Sequence, residues 1–185
     1  TQEADGHWPQ NMWLDGSPYW NGIQLDEAAF PILLADALRR RNALDGIDCW
    51  PMLRRAASYI VRNGPVTLQD RWEEDGGYSP FTLAVVVAGL LGAADFADAA
   101  GENAIATHLR ETADMWNARI EAWTYVTGTS LAREVGVEGY YIRIAPPEVA
   151  DARSPAQGFV PIKNRPPGDS ELPMVQLVSP DALAL

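Results

Sequence analysis

One long apolar segment constrains the fold of this chain more than any other feature. The segment SPFTLAVVVAGLLGAADFADAA, residues 79–100, is almost wholly small or apolar. Ser79 is a natural N-cap, Pro80 suits the first helical position, and Gly101 marks the end of the pattern. A helix that is apolar on most sides must be buried on most sides. The chain therefore needs other helices to pack around this one.

Three further segments have the periodicity of helices. The sequence predicts helices over residues 25–41, 48–62, 79–100 and 102–123. Asp26 and Glu27 favour the start of the first helix, where the helix dipole stabilises negative charge. Asp48 and Pro51 suit the start of the second. No segment shows a comparable strand alternation, so we predict an all-α fold of packed helical hairpins.

The rest of the chain, residues 124–185, is predicted to be rich in loops. Eight of the 14 prolines lie between Pro146 and Pro180, and no amphipathic helix is evident there. Loops of this length are uncommon inside a self-sufficient compact domain. The final residues, VSPDALAL, resemble a helix start that stops at Leu185. We therefore expect residues 1–185 to be a single fragment of a larger domain.

Charge and composition argue against several classes of function. The net charge is −11 and the 14 Lys and Arg residues are scattered, so we expect neither nucleic acid nor a membrane as partner. The longest apolar run, Phe81–Ala94, is interrupted by glycines and is short for a bilayer span. Cys49 is the single cysteine, and His7 and His108 have no partner at ligand spacing. We predict no metal site and no cofactor.

The acidic turn before the apolar helix has two interpretations. LQDRWEEDGGYSP, residues 68–80, contains four carboxylates, and charged runs of this kind are usually solvated. A functional interpretation rests on Trp72, whose ring adjoins Glu73 and would raise the pKa of its carboxyl by desolvation, as a general acid requires. Glu73 and Glu74 are neighbours and are expected to diverge. We therefore interpret them as one acid and one residue that binds hydroxyls.

The tryptophans add a second indication of a site. Most of the seven tryptophans suit a core, but Trp8, Trp13, Trp20 and Trp72 occur beside carboxylates in predicted turns. Aromatic faces stack on the apolar faces of sugar rings, and their polar groups serve hydroxyls. These residues favour carbohydrate as a ligand.

Two long segments resemble glycoside hydrolase family 15, the glucoamylases and glucodextranases. QDRWEEDGGYSPFTLAVVVAGLLGAADFA, residues 69–97, is similar to the central signature of the family. HWPQNMWLDGSPYWNGIQLDEAAFPILLADAL, residues 7–38, resembles a Pro-Gln…Asp-Gly block of the bacterial branch. EGYYIRIAPPE, residues 138–148, and VSPDALAL resemble later blocks.

The resemblance implies an incomplete part of an (α/α)6 barrel, with about four helices plus long loops belonging to one catalytic domain. It implies an inverting, exo-acting hydrolase that releases β-glucose from the non-reducing ends of α-glucans, with α-1,4 or α-1,6 preference left open. The implied partners are an α-glucan and the remainder of the same catalytic domain. The resemblance also suggests an extracellular or periplasmic location.

Matching the motifs residue by residue implies roles for individual side chains. Glu73 corresponds to the general acid. The implied substrate-binding residues are Glu74, Trp72, Asp15, Gln10, Arg143 and Trp8. The family's catalytic base is a glutamate in a later block that these 185 residues lack. We therefore expect the isolated chain to be inactive.

Two other classes of function fit the residues without this resemblance. The aromatic loops would suit a non-catalytic carbohydrate-binding α/α domain. Alternatively, the chain is a structural helical repeat without a ligand, in which Glu73 and Glu74 only stabilise the start of the apolar helix.

Overall fold

Helices dominate the computed structural model, which describes residues 2–20, 22–148, 157–163, 165–166 and 168–182. The helices are α1 (Leu25–Arg40), α2 (Trp50–Asn63), α3 (Pro80–Ala99), α4 (Asn103–Asn117), α5 (Ile120–Thr124), α6 (Ser130–Val135) and a 3-10 helix (Met174–Gln176). The strands are β1 (Tyr125–Thr127), β2 (Gly139–Tyr141), β3 (Phe159–Pro161) and β4 (Glu171–Pro173). Helices α1, α2 and α3 begin and end within two residues of their predicted bounds.

The apolar helix α3 is the centre of the packing. It contacts α1, α2 and α4. The Ser79 hydroxyl accepts a hydrogen bond from the Thr82 amide at 3.3 Å, as an N-cap does, and Pro80 is the first helical residue. Leu83 and Leu90 are fully buried. Burial on several sides is what the composition of this segment requires.

Helix α1 packs closely on α3 because small residues face each other. A Cβ added at Gly89 would lie 2.9 Å from the Cβ of Ala29, so only a glycine allows this approach. Arg39 bonds Asp36 on its own helix at 2.8 Å and Asp95 on α3 at 3.1 Å. The basic end of α1 is thereby tied to α3.

The predicted fourth helix is two helices. The chain turns at residues 118–119, where the Arg119 amide bonds the Trp116 carbonyl at 2.9 Å, and α5 then begins at Ile120. The prediction of a single helix over 102–123 is therefore wrong. The sequence pattern misled it, because Trp116, Ile120 and Trp123 continue a helical spacing across the break. All three side chains are buried, so the apolar pattern follows the core and does not require continuous helix.

The loop-rich part of the chain contains short elements that the sequence pattern did not show. β1 pairs antiparallel with β2, with Val126 opposite Tyr140, and β3 pairs antiparallel with β4, with Val160 opposite Leu172. Each strand has three residues, which is too short for alternation to be recognised. Ser179, Pro180 and Asp181, where the sequence resembles a helix start, lie at a turn in which the Ala182 amide is 3.5 Å from the Ser179 carbonyl oxygen. Residues 183–185 lie outside the described residues, so the continuation of this turn into a helix is not tested.

Helix α3 is long and apolar enough to cross a membrane when only length and composition are considered. The helix has 20 residues, which is the usual length of a membrane span. The expectation from the sequence concerned only the shorter apolar run Phe81–Ala94, which is short for a bilayer span. However, about two thirds of its most apolar stretch (67%) is buried inside the protein. The core helix of a globular domain has the same properties.

Candidate active site

The acidic turn connects α2 to α3 and is closed at its base by backbone hydrogen bonds. The Thr67 amide bonds the Gly77 carbonyl at 3.0 Å, and the Gly77 amide bonds the Thr67 carbonyl at 2.9 Å. One step further along, Tyr78 pairs with Ala145 in the same way, at 2.8 and 2.9 Å. The turn is therefore attached both to itself and to the segment that follows β2.

Gly77 allows this attachment. Its φ is +152°, and an added Cβ would lie 2.5 Å from the carbonyl oxygen of Ala145. A side chain at this position would separate the two segments.

Asp70 is the structural centre of the turn. Its Oδ1 accepts hydrogen bonds from the amides of Trp72 and Glu74, at 3.1 and 3.0 Å. Its own amide bonds the Asp75 carbonyl at 2.8 Å. Asp70 is only 1% exposed, so the interpretation of the whole turn as a solvated acidic run does not hold for this residue. A buried carboxylate that accepts backbone amides shapes the loop around it.

Glu73 has a backbone conformation that is unusual for a glutamate. Its φ is +62°, in the left-handed region. Its amide bonds the Asp70 carbonyl at 2.8 Å, and its carbonyl accepts from Gln69 Nε2 at 2.8 Å and from Lys163 Nζ at 2.7 Å. The Gln10 side-chain amide donates to Glu73 Oε1, so the structure brings together Gln10 and Glu73 from the two segments singled out by the sequence.

Arg143 connects three carboxylates of the turn. Its Nε lies 3.1 Å from Asp70 Oδ2, its Nη1 2.9 Å from Glu74 Oε2, and its Nη2 3.4 Å from Asp75 Oδ2. The Arg143 side chain is 13% exposed and that of Glu74 11%. Burial raises the pKa of Asp75, although the Arg143 charge opposes this shift. The guanidinium thus orients Glu74 within the predicted site.

Trp72 is half exposed, and Arg71 lies beside it. The Arg71 guanidinium lies 5.7 Å from the centre of the Trp72 ring and 4.6 Å from that of Phe81. Arg71 Nη1 is also 3.1 Å from Asp181 Oδ1. The Trp72 ring was expected to desolvate Glu73, but much of its surface is exposed to solvent.

Helix α1 contributes two carboxylates, Asp26 and Glu27. From the sequence, they were expected only to stabilise the start of the helix through its dipole. Asp26 and Glu27 line a cavity of about 340 Å³ together with Gln10 and Arg71. Burial, together with the negative charges of Asp26 and Glu73, raises the pKa of Glu27 from its ordinary 4.5 to about 7. Burial also raises the pKa of Asp26, although a hydrogen bond from Thr82 at 3.3 Å opposes the shift. Glu27 therefore belongs to the acidic surroundings of Glu73.

A wider cleft of about 690 Å³ adjoins Gln10 and Glu27 and is also lined by Trp8. Its volume is within the range of about 300–1,000 Å³ that small-ligand sites occupy. A cleft of similar size, about 660 Å³, lies between α2 and α4 beside Trp50 and His108, and no residue of the acidic turn lines it. Size alone therefore does not locate a site, but the cleft at Trp8 adjoins Gln10, which bonds Glu73.

Asp15 has local hydrogen bonds. Its Oδ1 accepts from the Ser17 amide at 2.9 Å and from the Ser17 hydroxyl at 2.6 Å, which lowers the pKa of Asp15. Its loop presents exposed aromatic rings, with Trp13 and Tyr19 in an edge-to-face pair 4.7 Å apart. These contacts stabilise the loop and do not link Asp15 to Glu73.

In the part of the chain that the structure describes, no three His, Cys, Asp or Glu side chains are grouped so that they would hold a metal ion. Three of the four carboxylates of the acidic turn, Asp70, Glu74 and Asp75, are instead paired with Arg143.

A helical scaffold that holds several carboxylates in one turn provides the kind of group that glycoside hydrolases use. Residues 4–182 match the family model of the glycosyl hydrolases family 15, so the chain belongs to this family. The resemblance found in the sequence is confirmed.

Two similar proteins support this assignment. A glucoamylase of Clostridium sp. (strain G0005) is 45% identical over 141 residues, which are 76% of this chain and 19% of that protein. The crystal structure of a bacterial glucoamylase complexed with acarbose superposes with a TM-score of 0.80 at 39% identity, covering 97% of this chain and 24% of that one. The described helices accordingly form part of an (α/α)6 barrel, as predicted. The chain spans about a fifth to a quarter of these relatives.

Proposed function

We propose that this chain is a segment of an inverting, exo-acting glycoside hydrolase that releases β-glucose from the non-reducing ends of α-glucans. Its similar proteins are glucoamylases, and one of them was solved with acarbose. Because the chain spans only part of their length, we propose that it functions together with the remainder of one catalytic domain.

Glu73 is the proposed general acid, and one observation carries this assignment. Its side chain is exposed, and its backbone is in the left-handed conformation. Hydrogen bonds at its amide, its carbonyl and its Oε1 hold it there. A strained, over-determined backbone of this kind is characteristic of functional positions. The bond from Gln10 occupies Oε1. Oε2 is then the oxygen that carries the proton toward substrate.

The proposed reaction is a single displacement. The Glu73 carboxyl donates its proton to the glycosidic oxygen as the bond from that oxygen to the anomeric carbon breaks. Water attacks the opposite face of the same carbon and loses its proton to a base, which inverts the α-linkage to β-glucose. In family members this base belongs to a later part of the barrel, so we propose that it lies outside these residues.

The neighbouring side chains are proposed to bind the sugar. The Arg143 ion pair orients Glu74, so that its carboxylate accepts hydrogen bonds from hydroxyls. Arg143 thus contributes to substrate binding through Glu74. Trp72 and Trp8 offer aromatic faces at the turn and in the adjoining cleft. Asp15 shapes the exposed loop that follows Gln10, at the proposed rim of the pocket.

The test is Glu73→Gln in the full-length polypeptide that contains this segment. Glutamine keeps the shape of the side chain but has no acidic proton. We expect glucose release from maltotriose to fall at least about a hundredfold, since general acid catalysis typically supplies 10²–10⁴. Glu134→Gln, at an exposed glutamate on α6, is the matched control and should leave the rate unchanged.

Persistence of activity within about tenfold after Glu73→Gln would show that the acid assignment is wrong. Saturable binding of maltooligosaccharides without any glucose release by the full-length polypeptide would instead favour the carbohydrate-binding alternative. Neither binding nor release would favour the structural repeat.

A further inference from the structure

Lys163 contacts the proposed acid, although it lies far from Glu73 in the sequence. It is the only lysine of the chain, since the other 13 of the 14 basic residues are arginines. Its Nζ donates a 2.7 Å hydrogen bond to the Glu73 carbonyl oxygen, across 90 residues of sequence. None of the motifs that led to the acidic turn includes it.

The β3–β4 hairpin determines where Lys163 lies. Val160 on β3 is 1% exposed and pairs with Leu172 on β4. Met174, which follows β4, is fully buried, and its amide bonds the Gly158 carbonyl at 3.1 Å. Lys163 follows this anchored strand by two residues. Lys163 itself is exposed, but the strand that leads to it is fixed by the core, and this brings the lysine beside the acidic turn.

Hydrogen bonds to the Glu73 carbonyl oxygen hold the backbone conformation of Glu73. A left-handed conformation is unfavourable for a residue with a side chain, so it persists only where neighbours hold it. Gln69, from within the turn, is one donor to this carbonyl, and Lys163 is the second. Lys163 is the donor that comes from another element, and it couples the acidic turn to the hairpin.

Lys163 also lies among a majority of negative charges. The carboxylates around Glu73 are Asp70, Glu74 and Asp75 in the turn and Asp26 and Glu27 on α1. Among the described residues, three cations contact these carboxylates, line the cavity beside them or bond Glu73: Arg143, Arg71 and Lys163. The charge of Lys163 opposes the upward shift that burial causes in the pKa of Asp75. An ammonium group at the Glu73 carbonyl is thus electrostatically favoured as well as hydrogen-bonded.

We propose that Lys163 is a positioning residue for Glu73: by holding the Glu73 carbonyl it maintains the left-handed backbone turn that directs the carboxyl toward the glycosidic oxygen. The inference rests on the proposed function, because it assigns to Lys163 the alignment of the proton donor. Lys163 acts through the backbone of Glu73 and is not itself a proton donor in the reaction.

The test compares two substrates whose leaving groups differ in their need for a proton. Maltotriose has a sugar leaving group that requires protonation, whereas α-glucosyl fluoride releases fluoride, which requires far less help. In the full-length polypeptide, Lys163→Met should lower kcat for maltotriose about tenfold and kcat for α-glucosyl fluoride less than about threefold. Glu73→Gln should show the same selectivity with a larger loss.

Two further variants separate alignment from general damage. Lys163→Arg keeps a charged donor and should restore kcat for maltotriose to within about threefold of wild type. Arg165→Met, on the same hairpin, removes a 3.8 Å ion pair with Asp169 and should leave both rates unchanged. If Lys163→Met does not fold, Lys163→Gln, whose side chain is too short to reach the carbonyl, should show the same split.

Three results would overturn the inference. An unchanged maltotriose rate in Lys163→Met would show that the contact does not align the acid. An equal loss on both substrates would show that Lys163 only supports the fold. If Glu73→Gln kept its kcat for maltotriose, the proposed function would fail as well. If Glu73→Gln lost activity selectively on maltotriose and Lys163→Met did not, only the role of Lys163 would be overturned.

Discussion

At the scale of single residues, Glu73 differs from the other side-chain-bearing residues with positive φ in the described chain. Those others are Asn42 and Asp45, in the loop after α1, and their short polar side chains tolerate the left-handed region. Glutamate has no such tolerance, so its conformation must be imposed. The motif Trp-Glu-Glu identified the residue type, but the imposed backbone depends on partners such as Lys163 that no local pattern contains.

Glu27 provides a prediction about pH. Its folded-state pKa of about 7 lies above its ordinary 4.5, so between these values the folded state binds more protons than the unfolded state. The contribution of Glu27 to stability is therefore fully present below about pH 4.5 and is lost as the pH rises through 7. Because Glu27 is only half-buried, we discount this contribution to about 1 kcal/mol.

The variant Glu27→Gln removes this dependence. We expect the thermal midpoint of wild-type full-length polypeptide to fall more between pH 5 and pH 8 than that of Glu27→Gln, by a few degrees, on the order of what about 1 kcal/mol produces. Glu111→Gln, at an exposed position on α4, is the control and should follow wild type. Parallel midpoint curves for Glu27→Gln and wild type would contradict the prediction.

At the scale of elements, local signals located both the starts and the ends of α1, α2 and α3 to within two residues. The Ser79 cap and Pro80 occur as predicted at the start of α3. Helix α2 begins at Trp50, two residues later than predicted, yet Asp48 Oδ1 still accepts a hydrogen bond from the Trp50 amide at 3.1 Å. The break between α4 and α5 was not predictable, because the buried side chains continue a helical spacing across it.

The close contact of α1 with α3 gives a prediction at this scale. Gly89→Leu should destabilise the protein by about 2 kcal/mol, since an added Cβ would lie 2.9 Å from that of Ala29 and the two helices would have to separate. The measurement is the thermal midpoint of the full-length polypeptide. Ala88→Leu, at an exposed position one residue earlier, should leave the midpoint nearly unchanged. Equal midpoints for both variants would show that the helices adjust without cost.

At the scale of the whole molecule, several large apolar side chains are exposed on the helices. Phe30 and Leu34 on α1 are 46% and 62% exposed, and Met115 on α4 is 51% exposed. Leu34 is a large apolar side chain, so its exposure marks a face of α1 that the described residues leave uncovered. In the solved glucoamylase, the matched region is 24% of the chain, which is consistent with further packing partners.

The behaviour of the isolated 185-residue chain follows from this. We expect it to release no glucose from maltotriose, because the proposed base belongs to another part of the barrel. We also expect it to associate, because exposed apolar faces drive self-association. Sedimentation velocity and a glucose assay on the same sample check both expectations. A monodisperse monomer would contradict the second, and turnover above the buffer blank would contradict the first.

The sequence by itself determined the features that depend on near neighbours in the chain. The apolar composition of residues 79–100 requires a buried helix, helical periodicity locates α1 and α2, and the motifs around Glu73 identify the family. Gln10 and Glu73 were both predicted as site residues because each lies in a long motif. The contact between them was not predicted, because hydrogen bonds across 63 residues leave no periodic signal.

Only the tertiary structure decided how the site is assembled. Arg143 joins three carboxylates, Lys163 holds the carbonyl of Glu73, and Glu27 gains its raised pKa from burial on α1. The physical reason is that pairing and desolvation depend on distance in space, whereas patterns in a sequence report only neighbours along the chain. The identity of the candidate acid is thus local, and its conformation and electrostatic surroundings are set by the fold.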